Sequence, residues 1–159
     1  MISAAPSLLV VAPLYWSADW AWGLPLIVLT VVIHVLGLGL INQRILSVYY
    51  GVKERRHPSA TFVVVMGATT LSATILHAAE GIIWAAAYRL LGAIPDAPSA
   101  VLYSLNAMTS YGNADLALDA HWQLMGAMEA LNGWLLFGLT TAFLFGMIDK
   151  VWSLGGKGT

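Results

Sequence analysis

Apolar positions along this chain neither alternate nor form a single narrow stripe. They gather into three long runs separated by short polar stretches. The first run predicts a helix over residues 25–50, with an apolar centre from Leu26 to Ile41, then Asn42, Gln43 and Arg44, and an aromatic edge at Tyr49 and Tyr50. At 1.5 Å per residue it reaches roughly 39 Å, enough for a hydrocarbon core of about 30 Å plus interface. Pro25 suits the first turn of such a helix, where its missing N–H costs nothing. The second run predicts a span over residues 61–91, long enough to tilt or to protrude into the headgroups. The third predicts one over residues 121–151, with Trp122 at one interface and Trp152 at the other.

Between the second and third runs lies Pro98 to Asp115, too short and too polar to cross a bilayer. It begins like a helix, with Asp96 placed to cap it and Pro98 in its first turn. That helix should end near Met108, giving way to the small, polar series Thr109, Ser110, Tyr111, Gly112, Asn113 and Ala114. Non-helical backbone at membrane depth is tolerated only where protein buries it or where it lines a water-filled path. Residues 98–116 are therefore predicted to form a re-entrant segment. Residues 1–24 are mixed; Trp16, Trp20 and Trp22 either mark a membrane surface or pack against a neighbouring helix.

Composition agrees with this pattern: 59% of residues are hydrophobic and 9% charged, against roughly 45–50% and about 25% in ordinary soluble domains. A net charge of −1 points to neither a nucleic-acid partner nor a polybasic lipid-binding tail. The absence of cysteine removes disulfides and thiolate chemistry. The N-terminus lacks a basic n-region, so the first span is expected to serve as its own signal anchor. Lys53, Arg55 and Arg56 assign the loop 51–60 to the cytoplasm by the positive-inside rule, with residues 1–24 outside and the tail 152–159 inside. The expected location is the plasma or inner membrane, crossed several times. Asp19, Asp96, Asp115 and Asp119 then lie outside, opposed there by Arg89 alone, a field that concentrates cations at an outer mouth.

Polar groups within the apolar runs are the next candidates, because ionisable residues at membrane depth are functional hypotheses by default. His77, Glu80, Trp84 and Tyr88 share one helical face. His77 and Glu80 fit a structural hydrogen-bonded pair, a proton- or ligand-sensing pair, or part of a metal centre completed by His34 and Glu129. Glu129 either braces the short helix through Asn106 or Ser104, or lines a pore as an acidic ring. Gly133 and Gly138 allow a hinge or close packing. Trp134, Phe137 and Thr141 fall near one stripe and either line an inner cavity or meet lipid and neighbouring helices.

The order of span, short helix, turn and glycine-bearing span resembles the pore module of the tetrameric potassium-channel superfamily, in the form of its small prokaryotic members with an extra first span. The matching residues are Tyr103-Ser104-Leu105, then Thr109 to Leu116, then Trp122 and the segment from Gly126 to Gly146. Against the family's filter T-V-G-Y-G-D, Ser110 stands at Thr, Tyr111 at Val, Gly112 at the first Gly, Asn113 at Tyr, Ala114 at the second Gly and Asp115 at Asp. The resemblance implies an all-α membrane protein with three transmembrane helices, a re-entrant pore helix and a filter loop formed by residues 109–115, assembled as a homotetramer in the lipid bilayer. It also implies backbone carbonyls that replace an ion's hydration shell.

Asn113 and Ala114 depart from that pattern in the outer half of the filter. Ala114 carries roughly 1 kcal/mol of penalty per subunit if its φ must be positive. The expectation is a cation channel with weak or no selectivity among monovalent cations such as K⁺ and Na⁺, with divalents as further candidates and no resident cofactor. The alternatives are a potassium-selective channel, a non-conducting structural homologue, and an intramembrane metal-binding protein or enzyme centred on His34, His77, Glu80 and Glu129. No enzyme is expected, because no nucleophile has a base in register and no nucleotide-binding glycine loop occurs.

Overall fold

In a computed structural model the chain forms helices α1 (Leu8–Lys53), α2 (Pro58–Leu90), α3 (Ala97–Met108) and α4 (Gln123–Gly155), with a 3₁₀ turn at Ala120–Trp122. The structure describes residues 8–53, 58–112 and 117–155, and no strand occurs among them. Among the described residues, three stretches are long and apolar enough to cross a membrane: Trp16–Tyr50, Ser59–Leu90 and Gln123–Ser153.

Two sequence expectations change. Pro25 does not start the first helix; α1 already runs from Leu8 and carries Pro25 in its interior. Long apolar helices tolerate proline there because local adjustments and neighbouring groups satisfy the carbonyl it orphans, so proline is a weak start signal in this setting. Trp16, Trp20 and Trp22 consequently lie on α1 as exposed side chains. Both ends of the loop placed at 51–60 are helical, since α1 continues to Lys53 and α2 opens at Pro58, the kind of first-turn position that suits proline. Trp122 is buried in the protein, in one cluster with Trp84 and Met125, whereas Trp152 is 72% exposed.

The chain divides into two compact units. One combines α1 up to Thr30 with Gly81–Trp134. Its core includes Trp84, Tyr88, Ile94, Ala100, Leu118, Trp122 and Met125. Here Asn132 Nδ2 donates to Thr30 Oγ1 at 2.8 Å, and the Met125 N–H donates to Asp19 Oδ1 at 3.2 Å. The other unit combines Val31–Glu80 with α4 from Leu135 onward, around Ile45, Tyr49, Val65, Met147 and Val151. Gly37 lets α1 approach α2 closely, since a Cβ there would come within 2.7 Å of a Leu76 methyl.

Candidate functional site

The residues singled out from sequence fall into two constellations, one in each unit. The first is built on α3. Asp96 has extended backbone and its side chain accepts the Ser99 N–H at 2.9 Å, satisfying one of the donors that a helix start leaves free. That bond holds the Asp96 carboxyl below its ordinary range. Proline in the first turn completes the start. The helix buries Ala100, Ser104 and Met108, which recur every four residues and so form one face.

The C-terminus of α3 closes in a specific way. The Tyr111 N–H donates to the Asn106 carbonyl at 3.0 Å and the Ser110 N–H to the Ala107 carbonyl at 2.9 Å. This pair of bonds is the Schellman cap, whose residue after the C-cap normally is glycine because it must adopt positive φ. Here that residue is Ser110, with φ of 54°, a conformation costing a side-chain-bearing residue about 1–2 kcal/mol. Trp134 Nε1 of α4 donates to Ser110 Oγ at 2.9 Å, tying down the strained residue. Two positions on, Gly112 also has positive φ, 70°.

Two further contacts join α3 to α4. A Cβ at Gly133 would overlap the Met108 carbonyl, so only glycine permits the observed approach of the two backbones. Glu129, fully buried, accepts from Tyr88 Oη at 2.8 Å and also binds Ser104 Oγ. Ser104 Oγ donates to the Gly81 carbonyl at 2.7 Å as well. One hydroxyl proton thus faces two acceptors, and α2, α3 and α4 meet at this point. Of the two partners considered for Glu129, Ser104 is the one in contact. Asn106 instead lines an open cleft of about 470 Å³ with Tyr103, Ser110, Gly112 and Gln123.

Of the predicted filter, Thr109, Ser110, Tyr111 and Gly112 are placed; Asn113, Ala114 and Asp115 lie outside the described residues. Thr109 closes the last turn, its hydroxyl bonding the Leu105 carbonyl at 2.8 Å. Tyr111 is 83% exposed. On α4, Trp134, Phe137 and Thr141 are exposed, and the helix runs unbroken through Gly133 and Gly138.

The second constellation gathers His34, His77 and Glu80 in the other unit. His34 and Glu80 are fully buried. His34 Nδ1 lies 2.9 and 3.2 Å from the two Glu80 carboxylate oxygens, and His77 Nδ1 lies 3.7 Å from Glu80 Oε2. The Nε2 atoms of both rings lie 2.9 Å from the same hydroxyl, Thr140 Oγ1. Glu129, drawn from sequence as a fourth member, is instead engaged by Tyr88 and Ser104. Thr140 had not been singled out. Neither had the Thr30–Asn132 pair, although an asparagine one turn from a buried glutamate in an apolar helix is itself a signal.

Fold and sites together define an all-α chain with three helices able to cross a membrane and a short capped helix held between the second and third. Compared with models of protein families, with curated proteins and with solved structures, the chain matches none.

Proposed function

We propose that the protein is a cation channel built from four copies of the chain, with weak selectivity among monovalent cations. The observation that carries the reading is the anchoring of α3. Its buried face binds Glu129 through Ser104, its last carbonyl-bearing turn abuts Gly133, and its end is turned by a strained serine held by Trp134. Strained backbone persists only where the surroundings over-determine it, and it clusters at functional positions. A short helix fixed this firmly is suited to presenting the segment after it, residues 109–115, at a defined position.

One such segment cannot enclose a path, and closed rotational symmetry is the usual solution. The exposed Tyr111, Trp134 and Phe137 then meet neighbouring copies or the path itself. Weak selectivity follows from Asn113 and Ala114, which replace an aromatic and a glycine in the pattern the segment resembles. The first part of the segment is also committed to capping: Thr109 and Ser110 belong to the closing turn of α3, leaving a short stretch of carbonyls for ions. In this reading the N-terminus lies outside and the C-terminus in the cytoplasm.

Reconstitution into liposomes tests the proposal. Opposed K⁺ and Na⁺ gradients should drive comparable fluxes of both ions. Tight vesicles would refute conduction, and strong exclusion of Na⁺ would refute weak selectivity.

A further inference from the structure

With Glu80 ionised and both imidazoles neutral, the His34–His77–Glu80 group is left one proton short. His34 Nδ1–H donates to the Glu80 carboxylate, at 2.9 Å from Oε1. A neutral imidazole has one donor and one acceptor, so His34 Nε2 then accepts the Thr140 hydroxyl proton across 2.9 Å. Thr140 has no second proton, so His77 Nε2–H must donate to Thr140 Oγ1, also at 2.9 Å. That tautomer leaves the bare lone pair of His77 Nδ1 facing Glu80 Oε2 at 3.7 Å. Two electron-rich atoms face each other beside a fully buried carboxylate. A proton or a metal cation between them removes the conflict, and the spacing of the three side chains favours the metal.

We infer that this group is a binding site for a divalent transition-metal ion of the zinc type, ligated by His34 Nδ1, His77 Nδ1 and the Glu80 carboxylate. Nitrogen and oxygen ligands at about 2.0–2.1 Å in tetrahedral geometry stand roughly 3.3 Å apart. The separations from Glu80 Oε2 are 3.2 Å to His34 Nδ1 and 3.7 Å to His77 Nδ1, on either side of that value. Each of the three residues offers one ligand atom, and these atoms all lie within 4.8 Å of one another.

Metal binding also closes the proton count. With both Nδ1 atoms on the ion, both rings carry hydrogen on Nε2, and Thr140 Oγ1 accepts both with its two lone pairs. A ligand histidine whose other nitrogen donates to a fixed acceptor is the usual outer arrangement of metal sites. Two rings sharing one acceptor are held in register with each other; their centroids lie 4.9 Å apart at 54°, converging rather than stacking. His77 is 26% exposed while its partners are fully buried, so the group is open on the His77 side. Three protein ligands leave a fourth position open, the pattern of zinc sites that exchange a ligand. The ion would join α1 to α2, whether or not the protein conducts.

The test uses the full chain in detergent, stripped with a chelator and titrated with Zn²⁺ by calorimetry and with Co²⁺ by visible absorption. One equivalent should bind per chain, with a tetrahedral Co²⁺ spectrum that Zn²⁺ abolishes. His77→Ala leaves the buried His34–Glu80 bond in place, so it should fold, yet weaken Zn²⁺ binding by roughly a hundredfold or more. Thr140→Val should weaken it by roughly ten- to a hundredfold. Absence of saturable Co²⁺ absorption in the wild type, or equal Zn²⁺ affinity in the wild type and His77→Ala, would overturn the assignment.

Discussion

Replacing Gly133 by alanine isolates the contact on which the placement of α3 depends. The added Cβ would lie 2.7 Å from both the carbonyl carbon and the Cα of Met108, and closer still to the carbonyl oxygen. Ordinary contact begins at 3.4 Å, so those two atoms alone require a retreat of about 0.7 Å and the nearer oxygen requires more. No flexible side chain can absorb the move, because every atom met belongs to the main chain. Overpacking of this kind costs about 1–3 kcal/mol, offset by the gain in helix propensity of about 0.8–1 kcal/mol when alanine replaces glycine.

Gly138→Ala supplies the reference, since a Cβ there meets nothing within 4 Å and shows the propensity gain alone. Equilibrium unfolding in mixed micelles should therefore place Gly133→Ala about 1–3 kcal/mol below Gly138→Ala. Liposome flux should change only in the former, whose shift is delivered at Met108, immediately before residues 109–112. Equal stability and equal flux for the two variants would show that α3 is not held by this approach.

Ser110→Gly removes the cost of a side chain at positive φ, about 1–2 kcal/mol, and loses one exposed bond from Trp134; the same unfolding assay should report net stabilisation, and destabilisation would refute the strain. Glu129→Gln should stay within about 1 kcal/mol of wild type, because a glutamine amide can donate to Ser104, release its hydroxyl to Gly81 and still accept from Tyr88. Glu129→Ala strands the Tyr88 hydroxyl, while Ser104 keeps its Gly81 acceptor, and should cost about 1–3 kcal/mol; a glutamine variant as unstable as the alanine one would contradict the proton count.

The helices were legible because their apolar runs exceed what any soluble helix of this composition needs, and α3 because Asp96 and Pro98 are unambiguous start signals. The extent of α1 was not, because proline loses its meaning as a boundary where the surroundings forgive an orphaned carbonyl. His77, Glu80, Trp84 and Tyr88 could be read as one face from spacing alone. That Tyr88 serves Glu129 while Glu80 serves His34 could not, since spacing within a helix says nothing of which neighbour it meets. The left-handed Ser110 was equally hidden: the capping bonds that impose it come from the backbone, and serine carries none of the signal that glycine would. Thr140 was overlooked because a threonine in an apolar helix usually bonds its own preceding turn, as Thr30, Thr69 and Thr141 do here.

The three-way junction at Glu129 has a consequence for how the chain is made. Ser104 precedes Glu129 by 25 residues and Tyr88 by 41, so at synthesis rates of about 5–20 residues per second the nearer hydroxyl is finished roughly 1–5 s before the carboxyl emerges. The donors are laid down first, and the acid arrives to partners already present. A permuted chain that began with α4 would reverse that sequence and expose a carboxyl to lipid with nothing made to receive it.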